Sequence, residues 1–217
     1  MVYSSGMKEM LSGRVYATLR EAVLRGDFAP GEALKPQELA AAHGVSLAVV
    51  REALVRLVGD GLADRLTNRG FAVPALSDRR WQDIAEARRA LEPAALRLAI
   101  ARGDLEWETR VRAAHHQLSR TPAYRPGDDQ VSPEWSRAHH DFHRALLEGS
   151  GNAVFLEMFD RLWLAGELAR QWSTRRAPDR DHLTEHRQLE EAALARDADL
   201  AATLLERHVS LTVENLS

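Results

Sequence analysis

Three histidines within five positions, His139, His140 and His143 in "RAHHDFHRALLEGSGN", are the residues whose type and spacing most directly suggest chemistry. Positions four apart on a helix lie about 40° apart around the axis and one turn along it, so the imidazoles of His139 and His143 can meet one ion. Trp135, Phe142 and Leu146 form the apolar stripe of this segment, and both histidines sit on or beside it, which predicts that they face inward. His140, turned by about 100° from His139, is predicted to face solvent beside Arg144 and Leu147. Two later histidines share the inward character: His186 on the stripe Leu183/Leu189/Ala193, and His208 with Leu204, Leu205, Leu211 and Thr212. A single histidine on an apolar stripe is more often a hydrogen-bonded core residue than a ligand. Four aimed inward make a divalent-metal site between helices the expectation. The chain has no cysteine, so thiolate sites and disulfides are excluded and the donors must be nitrogen or oxygen, a set suited to Zn²⁺ or Ni²⁺. His115 and His116 have no such company and are expected at the surface or in packing.

The elements that must position these groups can be read from periodicity and breakers. Met10, Val15, Leu19, Val23 and Leu24 have the spacing of an amphipathic helix over about Met7 to Arg25, which "GDFAPGE" ends. Pro36 opens a short second helix closed by Gly44, and Ser46 is an N-cap for a third with Val50, Ala53, Leu54, Leu57 and Val58 on its apolar face. Two short runs joined by Thr67-Asn68-Arg69-Gly70 follow, the chemistry of a β-hairpin. Helix, helix, turn, helix, hairpin is the order of a winged helix-turn-helix. After Pro74 the texture changes to long helical patterns at about 78–102, 104–120, 133–149, 152–173 and 179–215, the last broken near Asp197. The fold class expected is mainly α: a winged helix-turn-helix over 7–76 and an antiparallel helical bundle over 78–217, with Pro74 to Asp78 as the hinge. "TPAYRPGDDQVSP" is the longest loop, and Asn152 is expected to cap the helix that follows it.

With 217 residues and 45% hydrophobic content the chain can bury a core unaided. No apolar run approaches the roughly 20 residues of a membrane helix, and the start lacks a secretion signal, so a cytoplasmic protein is expected. The net charge of −3 excludes a broadly basic coat for nucleic acid, yet residues 1–77 carry 9 basic against 8 acidic groups while 78–217 carry 20 against 24. In "SLAVVREALVRL" the outer face presents Leu47, Ala48, Arg51, Glu52, Val55 and Arg56. Arginines at 51 and 56 fit a helix lying in a major groove, where they reach phosphates or guanine edges; on spacing alone an ordinary exposed helix explains them as well.

The segment "GEALKPQELAAAHGVSLAVVREALVRLVGDGLADRLTNRGFAV" resembles the N-terminal domain of GntR-family transcriptional regulators. Gly44, Val45, Ser46, Val50, Arg51, Glu52, Ala53, Leu54, Leu57, Gly61, Leu62, Arg69 and Gly70 fall where that pattern has them. The resemblance implies DNA contacts from Ser46 and Arg51 at the recognition helix and from Arg69 and Gly70 at the wing, with Arg69 entering the minor groove. Leu47, Ala48 and Val49 replace the usual Arg-Thr-Pro, and Gln37 replaces a residue that is often acidic or arginine. Leu47 and Ala48 can pack on thymine methyls but cannot hydrogen-bond a guanine, which implies an unusual operator. Further on, "AEARRALEPAALRLAI", "HHDFHRALLEGSGN" and "EHRQLEEAALARDADLAATLLERH" resemble motifs of the FCD ligand-binding domain carried by the FadR subfamily of that family. The resemblance implies a divalent metal held by His139, His143, His186 and His208. His139 stands where relatives often have aspartate, which makes the set all nitrogen; Asp141 points away and cannot substitute. Arg88 is implied as the group that receives a small carboxylate effector, against the alternative of an Arg88–Glu92 surface pair. A homodimer binding operator DNA follows from the resemblance. Two other readings stay open at this point: a helical-bundle metalloenzyme acting on a small carboxylate, and a regulator whose histidines bind ligand without metal.

Overall fold

In the computed structural model, local signals of this kind become helix ends. The structure describes residues 2–66, 70–75, 77–124, 131–176 and 180–214, and the chain divides into two compact units, Met1–Ser77 and Asp78–Ser217.

In the first unit, α1 (Val2–Arg25) is followed by β1 (Ala33–Leu34), α2 (Pro36–His43), α3 (Leu47–Gly59), β2 (Asp64–Leu66) and β3 (Gly70–Ala72). Pro36 occupies the first turn of α2, where a missing N–H costs nothing. Gly44 ends the helix at φ 62°, a left-handed conformation that glycine adopts without a Cβ penalty. The Ser46 hydroxyl accepts from the Val49 amide and starts α3. Val49, Val50, Ala53, Leu54 and Leu57 of α3 are buried against Val15, Leu19 and Val23 of α1. Met10, expected on that stripe, is 61% exposed; Ser12 takes the inward position, its hydroxyl donating to Glu52 at 2.8 Å. The sheet has the order β1-β3-β2, all antiparallel, with Leu34 opposite Phe71. The sequence reading missed β1, because two residues carry no periodicity to detect.

The second unit is helical: α4 (Asp78–Arg102), α5 (Leu105–Arg120), α6 (Pro133–Glu148), α7 (Ala153–Arg176), α8 (His182–Leu194) and α9 (Ala198–Glu214). Asp104, Ser132 and Asp181 accept from the third amide of α5, α6 and α8 respectively, and Asn152 Oδ1 accepts from Val154 N at 3.0 Å at the start of α7. The core runs through Leu96, Ala99, Trp107, Val111, Phe142, Leu146, Phe159, Leu189 and Leu205. Trp107 anchors α5 to α6 by donating from Nε1 to Ala145 O at 2.9 Å, and Gly103 and Gly149 leave room for its ring.

Candidate functional site

Helix α6 brings His139 and His143 to one buried face, α8 contributes His186 and α9 His208; each is 2–5% exposed. One ligand nitrogen from each of the four lies within 4.8 Å of all the others. His139 Nε2 and His143 Nε2 are 3.1 Å apart, close to the roughly 3.3 Å between neighbouring nitrogens that a Zn–N length of 2.0–2.1 Å implies for a tetrahedron.

Their protonation state suits cation binding. Burial, followed by the other imidazoles, holds His139, His143 and His208 well below the ordinary histidine value. His186 is pushed down to about 3, again chiefly by burial. All four are therefore neutral near pH 7 and offer lone pairs. His186 Nε2 is buried with no hydrogen-bond partner, an atom that a cation would satisfy.

The tautomer of His208 is set from behind. His208 Nδ1 has Glu185 Oε2 at 2.7 Å and the Arg180 guanidinium at 3.2 Å, and the shorter contact, to a group that only accepts, puts the proton on Nδ1 and leaves Nε2 with its lone pair for the cluster. Arg180 holds Glu185 in turn, with Nε and NH2 donating to its two oxygens at 2.8 and 2.6 Å, and NH2 also donates to His208 O at 2.9 Å. On the α4 and α7 side stand two buried ion pairs, Arg88–Glu92 and Arg170–Glu167. Both cations lie against Trp163, with Arg170 3.9 Å and Arg88 5.1 Å from its ring centre, and its ring is 4.9 Å from that of His139. Arg88 and Glu92 are 5% and 0% exposed, so theirs is a buried pair rather than a surface one.

In the first unit, Leu47, Ala48, Arg51, Val55 and Arg56 of α3 are exposed, as are Ser46 and, on α2, Gln37. Arg56 stacks on Tyr16, its guanidinium carbon 4.2 Å from the ring centre. Glu52 is tied to Ser12 and Lys8 of α1, which leaves Arg51 as the basic group of α3 with no described partner among those contacts. Gly70 begins β3 at φ 91°; Arg69 lies outside the described residues, as does 125–130 of the long loop.

The sequence matches two family descriptions in succession: "Bacterial regulatory proteins, gntR family" over residues 11–73 and "FCD domain" over residues 83–211. The chain belongs to the GntR family. It is 33% identical over 199 residues to the HTH-type transcriptional repressor GlaR of Escherichia coli, covering 89% of this chain and 90% of that one. BphR, an HTH-type transcriptional regulator of Paraburkholderia xenovorans, is 34% identical over 200 residues, 91% of this chain and 82% of its own length. A solved GntR regulator from Rhodococcus sp. RHA1 superposes with a TM-score of 0.75 at 26% identity, covering 94% of this chain and 97% of that one. E. coli McbR/YncC, at TM-score 0.72 and 23% identity over 95% and 99% of the two chains, shares the fold. The protein is thus a transcriptional regulator of the GntR and FCD type, and the enzyme reading falls away. Among the described residues no helix is long and apolar enough to cross a membrane.

Several positions of this regulator differ from their sequence reading. His140 is half-buried and bonded, with Nε2 3.0 Å from Asp160 of α7, and its neighbour Leu147 is 2% exposed. Leu183 is 58% exposed; the buried face of α8 runs through His186, Leu189 and Ala193, with His182 beside it. His115 pairs with Glu190 at 2.5 Å. The groups around the histidines that sequence reasoning missed are Glu185, Arg180, His182, Arg170 and Glu167. A signal existed for one: Phe159, Trp163, Gly166 and Arg170 keep helical core spacing, which places Arg170 on the buried side of α7.

Proposed function

We propose that this regulator is a homodimer acting in the cytoplasm, whose operator affinity is controlled by a small organic acid bound in the helical unit at a divalent metal. The observation that carries the reading is the convergence of four buried, neutral imidazoles with one orphaned nitrogen among them. His139, His143, His186 and His208 would hold the ion, and an all-nitrogen set favours Zn²⁺ or Ni²⁺ over Mg²⁺. The ion, when bound, would supply Lewis acidity to a carboxylate oxygen. Arg88, buried next to Trp163, would receive the acid's remaining negative charge, with Glu92 keeping the guanidinium in place. Residues 7–76 would read DNA through Ser46, Leu47, Ala48, Arg51 and Gln37, with Arg69 and Gly70 at the wing. Residues 78–217 would bind effector and dimerise. Acid binding then shifts operator affinity by linkage between the two sites.

The test combines elemental analysis of protein purified without a nickel column with a thermal-shift screen of organic acids, with and without EDTA. Bound zinc or nickel, and an acid whose stabilisation EDTA abolishes, are expected. An acid that stabilises equally after EDTA would establish the metal-free reading instead.

A further inference from the structure

Beyond the four clustered histidines, α8 carries a fifth imidazole whose surroundings are chemically incomplete. Both ring nitrogens of His182 are buried and neither has a hydrogen-bond partner. Buried polar groups in folded proteins are almost always paired, so an orphan of this kind points to a group that binds there. His182 is one helical turn before His186, and the two rings are near parallel at 17° with centres 6.5 Å apart. It stands outside the set whose nitrogens converge on one point. On its other side is Trp135, edge-on at 6.0 Å, which in turn packs on His139 at 4.5 Å. The indole offers His182 no strong acceptor, and of the four clustered imidazoles the one whose ring packs on it is that of His186, beside which a metal-bound anion would lie.

We infer that His182 is an effector-contacting residue: its N–H donates to the oxygen of a carboxylate whose other oxygen is on the metal. Burial pushes His182 down to about 4, so the ring is neutral and its donor is a single N–H. A neutral donor suits this position, because a cation there would repel the metal that His186 holds. His182 is thus a specificity residue for carboxylates small enough to span ion and imidazole. Loss of its hydrogen bond weakens anion binding without touching the ligand set.

This inference rests on the metal reading above, and the experiment separates the two. Cobalt(II) is loaded into the full-length wild type, His182→Phe and His182→Gln, its affinity is measured, and acetate is titrated against the visible cobalt spectrum. Equal cobalt affinity in all three is expected. Acetate should bind His182→Phe about 10-fold or more weakly, as for a lost hydrogen bond to a charged group, while the glutamine amide restores binding to within about 3-fold. If the phenylalanine variant melts early, His182→Ala replaces it. Acetate binding that is unchanged in the apolar variant, not restored by glutamine, or absent from cobalt-loaded wild type overturns the role of His182. So does a large loss of cobalt affinity, which would make His182 a ligand. A wild type that takes up no cobalt overturns the metal reading itself.

Discussion

Lowering the pH of the metal-free protein should destabilise the helical unit steeply, with a size that follows from its buried histidines. His139, His143, His186 and His208 are 2–5% exposed and are held below their ordinary value by burial first and by one another second. In the unfolded chain each titrates near its reference value of about 6.5. Below that pH the unfolded state takes up protons that the folded state refuses, so the stability is fully present above about 6.5 and falls as pH falls, levelling off only at the folded values. Between about pH 7 and pH 5.5 each such histidine contributes a loss of about 1.3 kcal/mol, the four together about 5 kcal/mol, and His182, which burial holds down at about 4, adds about 1 kcal/mol more, in all comparable with the whole stability of many domains. Urea unfolding of EDTA-treated protein at the two pH values, followed by helical circular dichroism, measures this directly, and His186→Phe should remove about a fifth of the pH effect. Zinc at a thousandfold excess over its dissociation constant should add about 4 kcal/mol near neutrality and less at the lower pH, where protons compete for the same nitrogens. A urea midpoint that is the same at both pH values would refute the claim that the cluster is buried and neutral.

Three further outcomes are expected. Glu185→Gln keeps an acceptor for His208 Nδ1 but removes its charge, and zinc affinity measured by competition with a chelator should fall about 10–100-fold; an unchanged affinity would mean that the Glu185 charge does not strengthen His208 as a ligand. Arg51→Ala should abolish retardation of an operator duplex in a gel shift while moving stability by less than about 0.5 kcal/mol, since the side chain is exposed; retained binding would remove Arg51 from the DNA interface. Gly149→Ala places a Cβ 2.8 Å from Ala99 O and 3.0 Å from Trp107, so it should cost about 1–3 kcal/mol in the same urea assay, and a neutral result would show that the α4–α5–α6 contact yields easily.

Much of this regulator is written in short-range pattern. The turn of Gly44, the caps at Ser46 and Asn152 and the buried stripe of α3 depend on residues within a few positions of one another, where backbone conformation and helical period decide the outcome. The His139–His143 pair is of the same kind, because spacing of four fixes both rings to one face whatever the helix packs against.

What the chain does between helices is another matter. Leu183 and His182 are neighbours in sequence, and an apolar ranking turns the leucine inward; packing of α8 beside Trp135 of α6 instead leaves Leu183 exposed and His182 with its nitrogens buried. Glu185 and Arg180 read as ordinary surface charges until α9 brings His208 against them. Arg88 and Arg170, on helices far apart in sequence, become neighbours only because both close on Trp163. Sequence by itself determined the helices, the caps at Ser46 and Asn152 and the inward face of His139, His143, His186 and His208, since those follow from local periodicity. Only the tertiary structure decided which buried charges and imidazoles meet around them, since desolvation and pairing are set by groups that folding brings from other helices.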